Sequence, residues 1–435
     1  MTADLAIRPL TPDLDWDSYL DLTMRSFGPV DGPRVRAGIE PIVADGRCLG
    51  AFDGRRLVGS ALFLDMRQWW HGRPVPMAGV AGVKIAPEDR GRGFGRAIMI
   101  ELITLMTERG YPLAALYPAT MTIYRSLGWE MAGHRYEARL PARSLFTMAQ
   151  PEPSPASEPS PASEASQASQ ATEASRPPGD LRRPGPGDAA EVLQVIGRAH
   201  ALARDCGPVT YDEATVRHWL TRPGRYDDAG RYAYLAPDGF LAYSWLRGHD
   251  ELLVEHLSAA SAGTTRALWH LVASNSSVAE TVRARVGPAD PFWWLLREQD
   301  AEICERESWM LRLLDAPAAI AARGFPATDL AVPLLITDDL CPANSGLWQL
   351  TVRDGTGCLS FFRTGPATSP GSPASTRGEA PEPPLALGPR GLAALYAGAP
   401  VATLRRAGLA SGGSPAADAA LDGAFAAAPY MLDSF

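Results

Sequence analysis

The sequence predicts an α/β (α+β) chain: two tandem domains of one layout, the second without the first one's ligand loop, then a further α/β domain. Three observations carry this. Strand and helix signals alternate across residues 1–150, and the same succession returns across 180–300. The arginine-glycine turn inside "VKIAPEDRGRGFGRAIM", residues 83–99, has no counterpart in the second copy. At 435 residues the chain also exceeds one ordinary core.

In the first domain "LAIRPLTP" reads as a strand and turn, and "DWDSYLDLTMRSF" carries apolar residues at helical spacing. "RCLGAFDGRRLVGSALFLDMRQW" is two strands around an Asp-Gly turn at Asp53 and Gly54. "VPMAGVAGVKIAPE" is a further strand, and "RAIMIELITLMTERG" a helix closed by Gly110. "LAALYPAT" is a strand, and "TIYRSLGWEMAG" a short helix running into another. Residues 151–179 are Pro/Ser/Ala-rich and cannot bury enough apolar area to offset ordering entropy, so a disordered linker is expected.

"LRRPGPGDAAEVLQVIGRAHALA" then repeats strand, Pro turn and helix, and "RYAYLAPDGFLAYSWLRG" repeats the paired strands. "ELLVEHLSAASAGTTRALWHLVAS" stands where strand, loop and helix belong, but its loop lacks the arginine-glycine spacing. A sheet that kept its packing and dropped its phosphate site is expected over 180–300, walling a substrate cleft. Residues 301–435 open on "SWMLRLLDAPAAIAARGF", read as a helix, and continue into strands "DLAVPLLITD" and "LWQLTVRDG". A low-complexity insertion at 364–384 marks a surface loop.

Composition narrows the partners. A net charge of −8 argues against nucleic acid as the main partner. The N-terminus has neither a basic start nor a long apolar run, and no stretch of about eighteen apolar residues exists to span a membrane. Five scattered cysteines without C-x-x-C spacing suit reduced thiols in a cytoplasm. His71 and His134 lack spaced partner ligands, so no metal is expected.

The turn carries the chemistry. Backbone N–H groups at the start of a helix have no internal partner and attract phosphate, and Gly91, Gly93 and Gly95 allow close approach. Arg90, Arg92 and Arg96 add charge. The spacing is not G-x-G-x-x-G, and no G-K-[ST] follows, which disfavours a dinucleotide fold and excludes a Walker A loop. A pyrophosphate carried by a cofactor is the expected ligand; a ligand-free glycine turn is the alternative.

R-x-x-G-x-G at Arg90, Gly93 and Gly95, behind "VKIAP", resembles the acetyl-CoA motif of the GNAT acyltransferase superfamily. "YPATMTIYRSLGW", a second GNAT-like region without the glycine loop, and an apolar C-terminal domain ending in Phe435 are similar to the Eis (enhanced intracellular survival) N-acetyltransferase family. The resemblance implies a sterol carrier protein-type fold for the last domain. It implies that the pantetheine arm pairs with Val83, Lys84 and Ile85, that Gly91, Arg92, Gly93, Phe94, Gly95 and Arg96 bind pyrophosphate, and that the cofactor passes Ala119 and Thr120. Tyr124 corresponds to the general acid for the departing thiolate, and the terminal carboxylate of Phe435 to the proton acceptor. A homohexamer is implied as well.

Three functions are weighed. The first is a cytoplasmic N-acetyltransferase acting on primary amines of a cationic, aminoglycoside-like small molecule. The second is a protein or peptide lysine acetyltransferase, and the third a non-enzymatic acyl-CoA or lipid-binding protein.

Overall fold

The structure is a computed structural model that describes residues 5–148, 181–221, 231–246, 250–362, 383–433 and 435. The expected linker at 151–179 and all but the last two residues of the 364–384 insertion lie outside the described residues.

The first unit runs β1 (Leu5–Pro9), α1 (Trp16–Phe27), α2 (Gly32–Ala44), β2 (Cys48–Asp53), β3 (Arg56–Trp70), β4 (Arg73–Ile85), α3 (Phe94–Glu108), β5 (Leu113–Leu116), α4 (Met121–Ser126), β6 (Glu130–Pro141) and α5 (Leu145–Met148). Asp53 and Gly54 lead the β2–β3 turn as expected, with Gly54 at φ 61, and Gly110, at φ 78, follows the end of α3. Nothing in the sequence pattern marks α2. Its start is fixed instead by Asp31, whose carboxylate accepts the Arg34 N–H, and by Pro33 in the first turn, where no donor is needed.

The second unit is α6 (Ala189–Ala203), β7 (Val209–Tyr211), α7 (Glu213–Leu220), β8 (Arg231–Ala236), β9 (Gly239–Trp245), β10 (Glu251–Ala259), α8 (Ala262–Ala273), β11 (Thr281–Val286), α9 (Pro291–Leu295) and β12 (Glu302–Leu313). The strand expected before its Pro turn reduces to a single antiparallel bridge, Arg182 to Leu235. The third unit is α10 (Ala316–Ala322), β13 (Leu330–Ile336), β14 (Gly346–Arg353), β15 (Thr356–Phe361), β16 (Leu385–Leu387), α11 (Pro389–Tyr396), α12 (Val401–Arg406), β17 (Ala410–Gly412) and α13 (Pro415–Phe425).

The first two units share one sheet, in the order β1-β2-β3-β4-β5-β12-β6-β11-β10-β9-β8, with β7 pairing β3; the third has its own, β15-β14-β13-β16-β17. This corrects the helix expected at "SWMLRLL". The segment is the end of β12, antiparallel between β5 and β6, with Trp309, Met310 and Leu311 fully buried. A strand covered on both faces shows a continuous apolar run, which periodicity cannot separate from a buried helix.

The hairpin tip after β3 joins all three units. Trp69 donates its N–H to Pro208 O and its ring faces His200; Trp70 packs edge-on to Tyr396 and accepts the Gly324 N–H. The Arg323 guanidinium, fully buried, stands over the rings of Trp70, Phe325, Tyr396 and Phe425 and donates to Tyr396 O at 2.6 Å. Rings that carry a partial negative face replace a carboxylate partner here.

Candidate active site

β4 and β5 pair in parallel from Met77–Leu113 to Gly79–Ala115; beyond Gly79 no strand among the described residues pairs with β4 on that side. The sheet therefore forks, and Val83, Lys84 and Ile85 lie along the open arm, where Lys84 and Ile85 pair with Ser60 and Gly59 of β3. A bulge sharpens the divergence: Ser60 and Leu62 on β3 face Lys84 and Ala81, so β4 carries an extra residue, at Gly82 with φ 58. The Lys84 side chain leaves the fork entirely. It is 4% exposed, its Nζ is 3.8 Å from the Tyr19 ring centroid, and burial pushes its pKa down to about 8.

The loop delivers what the open arm needs next. Gly91 and Gly93 sit at φ 80 and 84, with nothing within 4 Å of where a Cβ would stand. Gly93 is the N-cap of α3, no side chain caps the helix, and the first helical bond runs from Ala97 N–H to Gly93 O. The amides of Phe94, Gly95 and Arg96 thus form an uncapped, positive helix start. Gly95 is needed for closeness: a Cβ there would lie 3.3 Å from Ile123.

The three arginines have different neighbours. Arg92 donates to Asp89 and Asp53, and Arg96 donates to Ser126 Oγ at 2.8 Å. Arg90 is exposed and makes no ion pair among the described residues. Asp89, which sequence reasoning passed over, is buried and also accepts both Arg56 amines, at 2.6 and 3.0 Å. Those hydrogen bonds hold its carboxyl below the usual range and tie the loop to the β2–β3 turn. Its only signal was an acid standing among arginines.

Ala119 and Thr120 are exposed between β5 and α4. Tyr124, on α4, is 7% exposed, and burial alone pushes its hydroxyl pKa up. Its ring meets Trp129 edge-on, within the core that includes Ala78 and Val80 of β4. Gly79 points the other way. There the Phe435 ring lies 3.1 Å from the position of a Gly79 Cβ and 5.8 Å from the Tyr117 ring. Side chains alternate across a strand, so Phe435 lies on the face of β4 opposite to Ala78 and Val80, which belong to the core that holds Tyr124.

Residues far apart in sequence dock the terminus. Tyr117 Oη donates to Met431 O at 3.1 Å, Arg135 donates to Leu432 O at 3.3 Å, and the His134 N–H reaches Pro429 O. Local spacing held no sign of these contacts. The expected site residues thus gather around one fork, with the Lys84 side chain turned away. Among the described residues no group of three His, Cys, Asp or Glu side chains could hold a metal, and no helix is long and apolar enough to cross a membrane.

The second unit repeats the fork without the open helix start. β10 and β11 pair in parallel from Glu251–Thr281 to Val254–Ala284, and β10 is bulged between Val254 and His256. Here Ser261 caps α8 by accepting the Thr264 N–H, and Asp238 accepts from the Thr264 hydroxyl. At the corresponding helix start of the second unit one amide, that of Thr264, is taken by a side chain.

Known proteins share this architecture. Residues 6–132 match an acetyltransferase (GNAT) domain model, residues 207–313 a second such model, and residues 316–432 a sterol carrier protein domain model. A GCN5-related N-acetyltransferase from Kribbella flavida, of known crystal structure, is 42% identical, with a TM-score of 0.82 over 99% of this chain and 98% of its own. N-acetyltransferase Eis of Mycobacterium tuberculosis is 29% identical over 365 residues, covering 78% of this chain and 81% of that protein. Eis1 from Mycobacterium abscessus, 22% identical, has the same fold with a TM-score of 0.70 over 99% of this chain and 100% of its own. The fold agrees with that of the Kribbella flavida protein over nearly the whole of both chains: the chain belongs to the GCN5-related N-acetyltransferases, as an Eis-like N-acetyltransferase.

Proposed function

We propose that the chain transfers acetyl from acetyl-CoA to a primary amine of a cationic, aminoglycoside-like small molecule by direct attack in a ternary complex. The observation that carries this reading is the terminus docked at the fork, with Phe435 against Gly79 and Tyr117, while Tyr124 belongs to the core on the opposite face of β4. The open arm at Val83–Ile85 would take the pantetheine amides as an added strand. The uncapped start of α3, with Arg90, would take the pyrophosphate.

Tyr124 serves as general acid. An ordinary tyrosine titrates near pH 10 and a thiol near 8.5, and burial raises both, so the hydroxyl stays protonated until a desolvated thiolate departs. The Phe435 carboxylate draws the ammonium in and accepts its proton, directly or through water. The resemblance further supports a homohexamer, and the free thiols support a cytoplasmic setting.

The test is thiol release from acetyl-CoA over a panel of amines with the intact chain, Tyr124→Phe and a chain lacking Phe435. Each change should lower turnover about a hundredfold while coenzyme A still binds. Equal turnover by all three removes both roles.

A further inference from the structure

Beyond α13 the tail must cross from the third unit to the first and stay in register at the fork. It meets the first unit through the Phe435 ring at Gly79 and Tyr117 and through hydrogen bonds from Tyr117, Arg135 and the His134 N–H. A second anchor lies in the second unit. The Tyr430 N–H donates to Cys206 O at 3.1 Å, in the second unit. A Cβ on Gly207 would lie 2.4 Å from Tyr430 O, and one on Gly287 would lie 2.6 Å from the Tyr430 ring. Two glycines of the second unit therefore leave room for this one tail residue. The Tyr430 hydroxyl stands close to the Asp205 and Asp290 carboxylates, and burial together with these carboxylates pushes its pKa up. Asp205 is bonded in turn to His200 Nδ1 at 2.7 Å, and the His200 ring lies against Trp69 of the hairpin tip.

Gly287 is the residue directly after β11, at the mouth of the second fork. That fork kept its parallel pairing and its bulge, while its helix start is closed by Ser261 and Asp238. A cleft that no longer offers amides to a diphosphate still offers a gap at the end of its strand. We propose that the second unit's fork is the socket of the C-terminal tail, with Tyr430 as the inserted group and Asp205 and His200 as positioning residues for the terminal carboxylate. The catalytic half of this inference rests on the proposed role of Phe435; the socket does not.

The experiment uses the full chain and two independent lesions, Tyr430→Ala on the tail and Gly287→Ala in the socket, with melting curves to verify folding. Carboxypeptidase release of Phe435, followed by mass spectrometry, reads docking without reference to activity. Thiol release reads turnover. Both variants should lose Phe435 about tenfold faster than the parent. Their kcat should fall at least about tenfold, as small misplacements of a reacting group do, with KM for acetyl-CoA within about twofold. Tyr430→Phe, which removes only the hydroxyl, should fall between variant and parent. Unchanged release in both alanine variants overturns the socket. Faster release with full kcat upholds the socket and overturns the role given to Phe435.

Discussion

Replacing Gly93 by alanine isolates the backbone geometry on which the proposed cofactor site rests. Gly93 stands at φ 84 as N-cap of α3, with nothing within 4 Å of the new methyl. No clash arises, so the whole cost is conformational, about 1–2 kcal/mol for an L-residue held in the left-handed region. Gly423, inside α13, also has open space at its Cβ but sits in helical backbone. Alanine there should stabilise by about 0.5–1 kcal/mol. The same methyl placed in empty space at both sites should thus move stability in opposite directions. If the α3 start relaxes to relieve the strain, the Phe94, Gly95 and Arg96 amides turn from the diphosphate. Losing one such charge-assisted bond, worth about 1.5–3 kcal/mol, weakens coenzyme A binding about tenfold to a hundredfold. Urea unfolding and calorimetric titration with coenzyme A measure the two effects. A Gly93→Ala chain that unfolds and binds like the parent would refute the reasoning, as would one stabilised like Gly423→Ala.

Asp89→Ala frees Arg56 and Arg92 from their shared carboxylate, so KM for acetyl-CoA should rise several-fold (about threefold to tenfold) with kcat nearly unchanged. Steady-state kinetics at varied acetyl-CoA decides it, and an unchanged KM would show that the ion pairs do not position the loop. Asp290 gives a signed pH effect. Burial pushes its carboxyl up to about 6, against the bonds it accepts from Phe292 and Gly287 and beside the Asp205 charge. The native state then holds a proton that the unfolded chain loses near pH 4, so stability falls as pH rises through 4 to 6, by about 3 kcal/mol at most. Asp290→Asn, which can still cap α9, should remove that fall: it should be more stable than the parent at pH 7.5 and no more stable at pH 4. Urea midpoints across pH test this, and parallel curves for the two chains would show that Asp290 does not carry the effect.

Much of the first unit was legible because its signals are local. The amphipathic run of α1, the Asp53-Gly54 turn and the glycine pair before α3 each require only neighbours in sequence. α2 was not, since Pro33 and Pro41 read as breakers until Asp31 is seen to cap the helix and supply what propensity lacks. β12 was misread because the strands that pair with it, β5 and β6, come from another part of the chain. Within the site, the loop could be located by its glycines, but the tail contacts could not. Tyr117 meets Met431, and Gly287 meets Tyr430, across separations that no spacing rule spans.

The two copies of the fork show where such a rule does reach. Both keep a short parallel pairing and a bulged inner strand, features set by backbone and packing that an apolar pattern preserves. They differ at one helix start, where a left-handed glycine with open space stands in the first and a serine with a neighbouring aspartate in the second. Unpaired amides beside arginine invite an anion; amides already bonded to a hydroxyl, with a carboxylate close by, repel one. Such a difference needs no change of fold: an ordinary helix-capping residue suffices to occupy an amide, and at the strand end of the second copy Gly287 lies against the Tyr430 ring.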